Sequence, residues 1–394
     1  MTLLVRTLCL ANMAKTTANG VLMSVAVLYF TRTVHIGAGE VGLALSIGAA
    51  IGLAAAVPAG RLADKHGPRA TTSALLCLLG LATCGYPLVG DFAGLVIVSA
   101  LVLTIESGAN ASVYALVAGL LPAEERVRAS AYIRAASNVS IAAGAAAGAI
   151  GLYLDTPSAY LALLLGAGGL FIAAGLAFRR VPWVPPQPHE PGKPVWPVLK
   201  DVPYATVALL NSVLIMNAGV LSVALPVWIS QSTNAPTWVY ALVVIVNAAA
   251  VVLFQVRVSR GSDDVPGGTE AWRRAGILLA VGCVLYAVAG GLPTWAAATV
   301  LLAGALAHVL GEMLHAAGAW SLGFGLAPDQ AQGQYQGLFA TSSQLGQTVT
   351  PVLATVLLSQ LGAAGWAVFA GLFLTAGTLA PHVARWAQKP AVRQ

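Results

Sequence analysis

About twelve apolar runs, most of them near or above the ~20 residues that a helix needs to cross a bilayer, follow one another along this chain. They read as Leu8 to Phe30, Val41 to Gly60, Ala70 to Val89, Phe92 to Leu121, Ala129 to Leu154 and Ala159 to Phe178, then Pro203 to Ile229, Trp238 to Val256, Ala275 to Leu292, Trp295 to Leu326, Leu338 to Leu361 and Gly365 to Val383. With 58% of residues hydrophobic and 9% charged, nothing in the composition argues for a soluble core instead. The fold class predicted is an all-α integral membrane protein of twelve transmembrane helices in two pseudo-symmetric six-helix bundles.

The two bundles follow from an internal repeat. Glu106 and Glu312, the only two carboxylates deep inside long apolar runs, lie 206 residues apart. The same shift pairs Leu116, Gly119, Leu120 and Pro122 with Leu322, Gly325, Leu326 and Pro328, Tyr114 with Trp320, and Asn138 with Gln344. Nearer the start, Gly20, Val21 and Leu22 match Gly219, Val220 and Leu221 at an offset of 199. The offset grows because the loop from Arg257 to Arg274 is longer than its counterpart around Asp64. A charged carboxylate at the bilayer centre costs ~2.5–3.5 kcal/mol on insertion scales, so two acids at equivalent depths point to a bundle interior or wet cavity and to function.

Between the halves, Pro182, Pro185, Pro186, Pro188, Pro191, Pro194 and Pro197 exclude a regular helix over most of Arg179 to Val202. The predicted organisation is a bundle over 1–178, a cytoplasmic linker over 179–202 and a bundle over 203–394. With the N-terminus inside, Arg6, Lys65, Arg69, Arg126, Arg128, Arg179, Arg180, Lys193, Lys200, Arg257, Arg260, Arg273, Arg274, Arg385, Lys389 and Arg393 fall on the cytoplasmic side, and Arg32 stands nearly alone outside. Both termini are therefore expected in the cytoplasm, with the chain a multi-pass protein of the inner (cytoplasmic) cell membrane. The net charge of +6 is topological. Its scatter over short loops argues against nucleic acid as a partner.

The first run is not a signal peptide, since Asn12, Lys15 and Asn19 interrupt it. Cys9, Cys77, Cys84 and Cys283 all fall within runs, which suggests neither disulfides nor structural zinc. No Ser/His/Asp arrangement, paired metal motif or phosphate-cradling loop points to an enzyme or a cofactor.

The second and third runs are joined by Gly60-Arg-Leu-Ala-Asp64-Lys65-His-Gly67-Pro68-Arg69. This loop resembles the signature of the major facilitator superfamily, Gly-x-Leu-Ala-Asp-Arg-x-Gly-Arg-Arg. The glycines permit tight backbone geometry, and Asp64 and the bases suit charge-assisted contacts at helix ends. The resemblance implies that Gly60, Asp64, Lys65, Gly67 and Arg69 latch one conformational state. It also implies a likeness to drug/proton antiporters, whose fifth-helix signature is matched in spacing by Arg134, Asn138, Gly144 and Gly148. Ala145 stands where that signature has Pro, and Thr104 stands four residues before Gly108 where that group commonly has Arg.

In that family the first, fourth, seventh and tenth helices line the cavity. Asn12, Lys15 and Asn19 share one face of the first, Glu106, Asn110 and Tyr114 one face of the fourth, and His308, Glu312 and His315 one face of the tenth. The seventh, with Asn211, Asn217 and Ser222, has no single stripe. The His, Glu, His set lacks a fourth ligand and the usual metal spacing, so it reads as a proton relay and not a metal site, with a satisfied polar seam between helices as the alternative for the histidines. Glu106, Glu312, His308 and His315 are the candidate proton-coupling residues. Asn12, Lys15, Asn19, Asn110 and Tyr114 are the candidate substrate contacts. Gly60, Asp64, Lys65, Gly67, Arg69 and Arg134 form the candidate switch. Lys15 is a counter-ion to one of the acids, Glu106 or Glu312.

The function predicted is proton-coupled export of small amphiphilic compounds by alternating access, in the manner of a multidrug efflux antiporter. A proton-linked importer of a polar nutrient, and an uncoupled sensor or lipid-handling protein, are the alternatives. The partners are a small-molecule substrate, protons and the lipid bilayer, with the chain acting as a monomer.

Overall fold

The computed structural model describes residues 2–187 and 195–389. Pro188, Pro191, Lys193, Pro194 and Arg393, which enter the linker and orientation readings above, lie outside the described residues. Twelve helical stretches follow in order: α1 Leu3–Leu28, α2 Ala38–His66, α3 Pro68–Thr83, α4 Phe92–Leu120, α5 Ala123–Leu154, α6 Pro157–Phe178, α7 Val202–Ser232, α8 Trp238–Val258, α9 Val265–Ala289, α10 Thr294–Gly325, α11 Gln332–Leu361 and α12 Ala363–Ala387. Ten of them are long and apolar enough to cross a membrane, so the protein is a multi-pass membrane protein. The two outside that ten are α1, diluted by Arg6, Asn12, Lys15 and Asn19, and α11, which carries Gln332, Gln334, Gln336, Gln344 and Gln347.

Local chemistry sets where the helices begin. Thr2, Asp91, Thr156, Asp201 and Asp264 each precede a helix and accept a hydrogen bond from a first-turn backbone N–H, satisfying a donor that the helix itself leaves open. The Asp264 cap corrects one boundary. Helix α9 starts at Val265 and not at Ala275, so Arg273 and Arg274 are helical and pair with Glu270 at 2.8 and 2.7 Å. Helices α5 and α11 likewise begin earlier than their apolar runs, at Ala123 and Gln332, because their first turns are polar. Helix α3 ends early, at Thr83, and the rest of that run folds into a short 3₁₀ turn at Tyr86–Leu88.

The seventh run is one span, Val202–Ser232, as expected, but its helix is irregular within that length. It comprises helical pieces Val202–Leu214, Met216–Gly219 and Leu225–Ser232 with a π-turn at Val220–Ala224. Pro226 supplies a cause, since it has no N–H to offer the Ser222 carbonyl and its ring crowds that carbonyl, so the register opens just before it.

The chain divides into two compact units. One holds residues 1–122, 132–195 and 328–341, and the other 123–131, 196–327 and 342–394. In the first, α2 packs on α4, α3 on α4 and α6, and α1 on α6. In the second, α8 packs on α10, α9 on α10 and α12, and α7 on α12. These are the same four pairings displaced by six helices. Small residues let α5 and α11 approach their neighbours closely: a Cβ on Gly20 would meet the Ile141 carbonyl and one on Gly144 the Thr17 carbonyl, while one on Gly346 would meet the Ser212 carbonyl.

Candidate functional site

In the first unit the polar stripes of α1 and α4 face each other. The Lys15 ammonium donates to Asn110 Oδ1, and Asn19 Nδ2 donates to Glu106 Oε1 at 2.9 Å. Lys15 and Asn12 are each 5% exposed, whereas Glu106, Asn110, Asn19 and Tyr114 are half-buried. Glu106 is the charge that acts on Lys15, yet no ion pair joins them among the described residues. Asn12 turns away from this pair toward α5, donating to Ser137 Oγ at 2.8 Å.

In the second unit the three titratable groups of α10 meet three different sets of neighbours. Seven residues of helix rise about 10.5 Å, so a shared face still spans several depths. Glu312 accepts from Asn247 Nδ2 of α8 at 2.7 Å. His315 Nε2 lies 3.0 Å from Asn211 Oδ1 and its Nδ1 lies 3.3 Å from Asn217 Nδ2, both on the irregular α7. His308 is fully buried and packs against the Tyr286 ring of α9 at 6.1 Å; neither ring nitrogen makes a well-formed hydrogen bond among the described residues, and the polar groups that act on it are Glu312 and the Asn217 backbone. The Tyr286 hydroxyl is equally unsatisfied. Buried polar atoms left open in this way are where internal water resides.

The partners of His315 fix its tautomer. Asn217 Nδ2 also donates to the Leu214 carbonyl at 2.6 Å, which only a donor can do, so Nδ2 is the nitrogen and His315 Nδ1 is an acceptor. The proton then sits on Nε2 and is given to Asn211 Oδ1. Asn211 completes the network by donating to Ser342 and Ser343 of α11 at 3.0 and 2.8 Å. This ring is neutral and held at both ends.

The loop between α2 and α3 is built around Asp64. Its carboxylate accepts from the backbone N–H groups of Gly333 (2.7 Å) and Gln334 (3.0 Å), in the first turn of α11 and within the same unit. An anion at a helix N-terminus satisfies open donors and meets the positive end of the helix dipole. The approach depends on Gly60, where a Cβ would collide with the Gly333 carbonyl. The start of the linker closes over the loop: Gln187 N–H donates to the Asp64 carbonyl at 2.7 Å and Arg69 donates to the Val181 carbonyl at 3.2 Å. Gly67, at φ +89°, lies beside the Val184 carbonyl. Lys65 is exposed and makes no hydrogen bond or ion pair among the described residues, so Asp64 works against a helix end and not against a base of its own loop. Arg134 is half-buried on α5.

A model of the Major Facilitator Superfamily matches residues 8–351. The chain belongs to the Major Facilitator Superfamily. It is thus a membrane transporter of that superfamily. Among curated protein sequences no relative matches. Solved structures share the fold at low identity. The human organic anion transporter MFSD10 (TETRAN) is 17% identical over 96% of this chain and 98% of its own, with a TM-score of 0.74. A bacterial homologue of the iron transporter ferroportin, in an outward-facing state, is 16% identical over 98% and 100%, with a TM-score of 0.70. The proton:xylose symporter XylE, bound to 6-bromo-6-deoxy-D-glucose, is 13% identical over 95% and 95%, also at 0.70.

Several polar partners in this superfamily member have no place in the stripes: Ser137, Asn247, Tyr286, Ser342 and Ser343. Two of them were within reach of the repeat. The 199 offset carries Asn12 onto Asn211 and the 206 offset carries Ser137 onto Ser343. Asn247 and Tyr286 sit singly in apolar helices, where periodicity carries no signal.

Proposed function

We propose that this protein is a proton-coupled secondary transporter that exports small amphiphilic compounds by alternating access. In this reading 1–178 and 203–394 form two pseudo-symmetric six-helix bundles joined by the linker, with twelve spans, both termini in the cytoplasm, and the chain acting as a monomer in the cell membrane. The observation that carries it is that each unit places one carboxylate within a membrane helix and gives it an amide hydrogen bond from another helix, Asn19 to Glu106 and Asn247 to Glu312. An amide donor holds a carboxylate in position and tolerates a protonated acid, so this contact is compatible with loading and releasing a proton.

The buried open nitrogens of His308 make it the histidine suited to pass protons to Glu312, one turn away, while His315 serves to hold α7, α10 and α11 together. Asp64, Gly60, Gly67 and Arg69 stabilise one state of the cycle, and loss of the Asp64 contacts with α11 accompanies departure from it. Efflux is favoured by the spacing of Arg134, Asn138, Gly144 and Gly148. The solved structures that share this fold are an organic anion transporter, a homologue of an iron transporter and a proton:xylose symporter, so the cargo must be read from the residues and not from the fold.

The test is reconstitution in liposomes with an internal pH dye and a panel of lipophilic cations, weak bases and peptides. Substrate-triggered proton movement is expected in the native protein and lost in Glu312→Gln or Glu106→Gln. Proton movement unchanged in both variants, or transport with none at all, refutes the coupling.

A further inference from the structure

The first unit contains two opposite charges that are not paired with one another. Lys15 has three N–H donors, of which Asn110 takes one, and Glu106 has two oxygens, of which Asn19 engages one. Lys15 is 5% exposed, and the two groups stand on facing helices of a membrane protein. A charge buried like Lys15 is costly to leave unpaired unless something else meets it, and the half-buried Glu106 is the opposite charge at hand. Here neutral amides on the opposite helices, Asn110 for the ammonium and Asn19 for the carboxylate, hold the two charges separately.

We propose that Lys15 and Glu106 form the binding site for a zwitterionic substrate, whose carboxylate docks on the Lys15 ammonium and whose ammonium docks on the Glu106 carboxylate. This rests on the transport reading above and names its substrate class. The amides act as placeholders that the ligand charges displace or join. The feature belongs to one half alone. Under the repeat offsets Lys15 falls on Leu214 and Asn110 on Ala316, so the second unit keeps the acid but loses the cation and the amide beside it. A ligand ammonium and a proton compete for Glu106, which supplies antiport coupling at this site, whereas Glu312 binds no part of the ligand.

Three probes with a common apolar group separate the charges: phenylethylamine, 3-phenylpropionate and phenylalanine. Binding is read on the purified full-length protein by thermal stabilisation and by titration calorimetry, neither of which depends on proton movement. Phenylalanine is expected to bind at least about tenfold more tightly than either singly charged probe. Lys15→Gln is expected to reduce phenylalanine to the level of the amine, and Glu106→Gln, which keeps an acceptor for Asn19, to reduce it to the level of the acid. Each variant is compared with the parent in melting temperature, and Lys15→Met repeats the test where Lys15→Gln is unstable. Equal binding of amine and zwitterion, or affinities that neither variant changes, overturns the proposal. Zwitterion binding without proton flux leaves this site standing and removes the coupling; flux driven by lipophilic cations alone does the reverse.

Discussion

Asn12 donates its side-chain amide to Ser137 at 2.8 Å, and the residues that the repeat places on them, Asn211 and Ser343, are joined in the same way at 2.8 Å. Each bond ties the first helix of a half to the fifth, beside a crossing so close that a glycine Cβ has no room. The repeat carries one polar tie in both halves, as suits an apolar interior, where small residues and amide hydrogen bonds hold helices in register.

The two ties differ in load, and so should their loss. Asn211 also donates to Ser342 and accepts from His315, and it is 1% exposed. Asn211→Ala strands a buried imidazole N–H and is expected to cost about 1–3 kcal/mol of stability. Asn12→Ala removes a single interhelical bond and is expected to cost about 0.6–2 kcal/mol. Unfolding equilibria in bicelles measure both, and an Asn12 variant less stable than the Asn211 variant contradicts this ranking.

What the sequence disclosed, and what it withheld, divides along physical lines. Apolar runs and the 206-residue repeat disclosed the helices and the equivalence of Glu106 with Glu312, since burial in lipid leaves a compositional record. The pairing of Asn19 with Glu106 was half legible, because both lay on assigned stripes, but the choice of Asn110 as the partner of Lys15 depends on how far α1 and α4 are displaced along each other. The irregular turn of α7 lies just before Pro226, but a proline within a hydrophobic run is compatible with a continuous membrane helix, so the run alone does not disclose it. The Asp64 contact was least legible: its partners are backbone N–H groups of Gly333 and Gln334, and backbone atoms carry no sequence signature.

Gly60 and Asp64 are expected to control exposure of the first turns of α11. Gly60→Ala places a methyl on the Gly333 carbonyl, and Asp64→Ala leaves two helix donors open. In a cysteine-free background, Gln336→Cys, at a position 5% exposed, should react slowly with a maleimide, and several-fold faster when either change is added. Equal rates in all three proteins would show that the contact does not limit access.

Asp155 supplies a pH dependence whose sign can be worked out. It caps α5 in a left-handed conformation, φ 44°, accepts from the Tyr160 hydroxyl at 2.5 Å and pairs with Arg32 at 2.8 Å. The Tyr160 hydrogen bond first, and Arg32 after it, hold its carboxyl below the ordinary value of 3.8. A depressed carboxylate contributes stability that is present above the unfolded pKa and lost as pH falls through the folded one. Melting temperature should thus be unaffected by this group near neutrality and fall below about pH 4. Asp155→Asn should flatten that acid limb, and the exposed Arg32 pair makes the effect smaller in high salt.

His315 and His308 stand two turns apart on one helix and are expected to answer pH differently. For His315 to bind a second proton, Nδ1 must give up its hydrogen bond from Asn217, and Asn217 cannot reverse its amide without losing the Leu214 carbonyl. The Nε2–H ring is therefore coupled to the fold of α7, and a proton on Nδ1 means losing the Asn217 hydrogen bond in a buried site. His308 makes no comparable bond to a side chain among the described residues. Nitrogen-15 spectra of histidine-labelled protein should show the neutral His315 ring as the Nε2–H tautomer. His315→Gln should lower stability while leaving the midpoint of the transport pH profile in place, whereas His308→Gln should displace it. A His315 ring in the Nδ1–H tautomer would undo the assigned network, and a midpoint that moves with His315 and not with His308 would transfer the proton-passing role from His308 to His315.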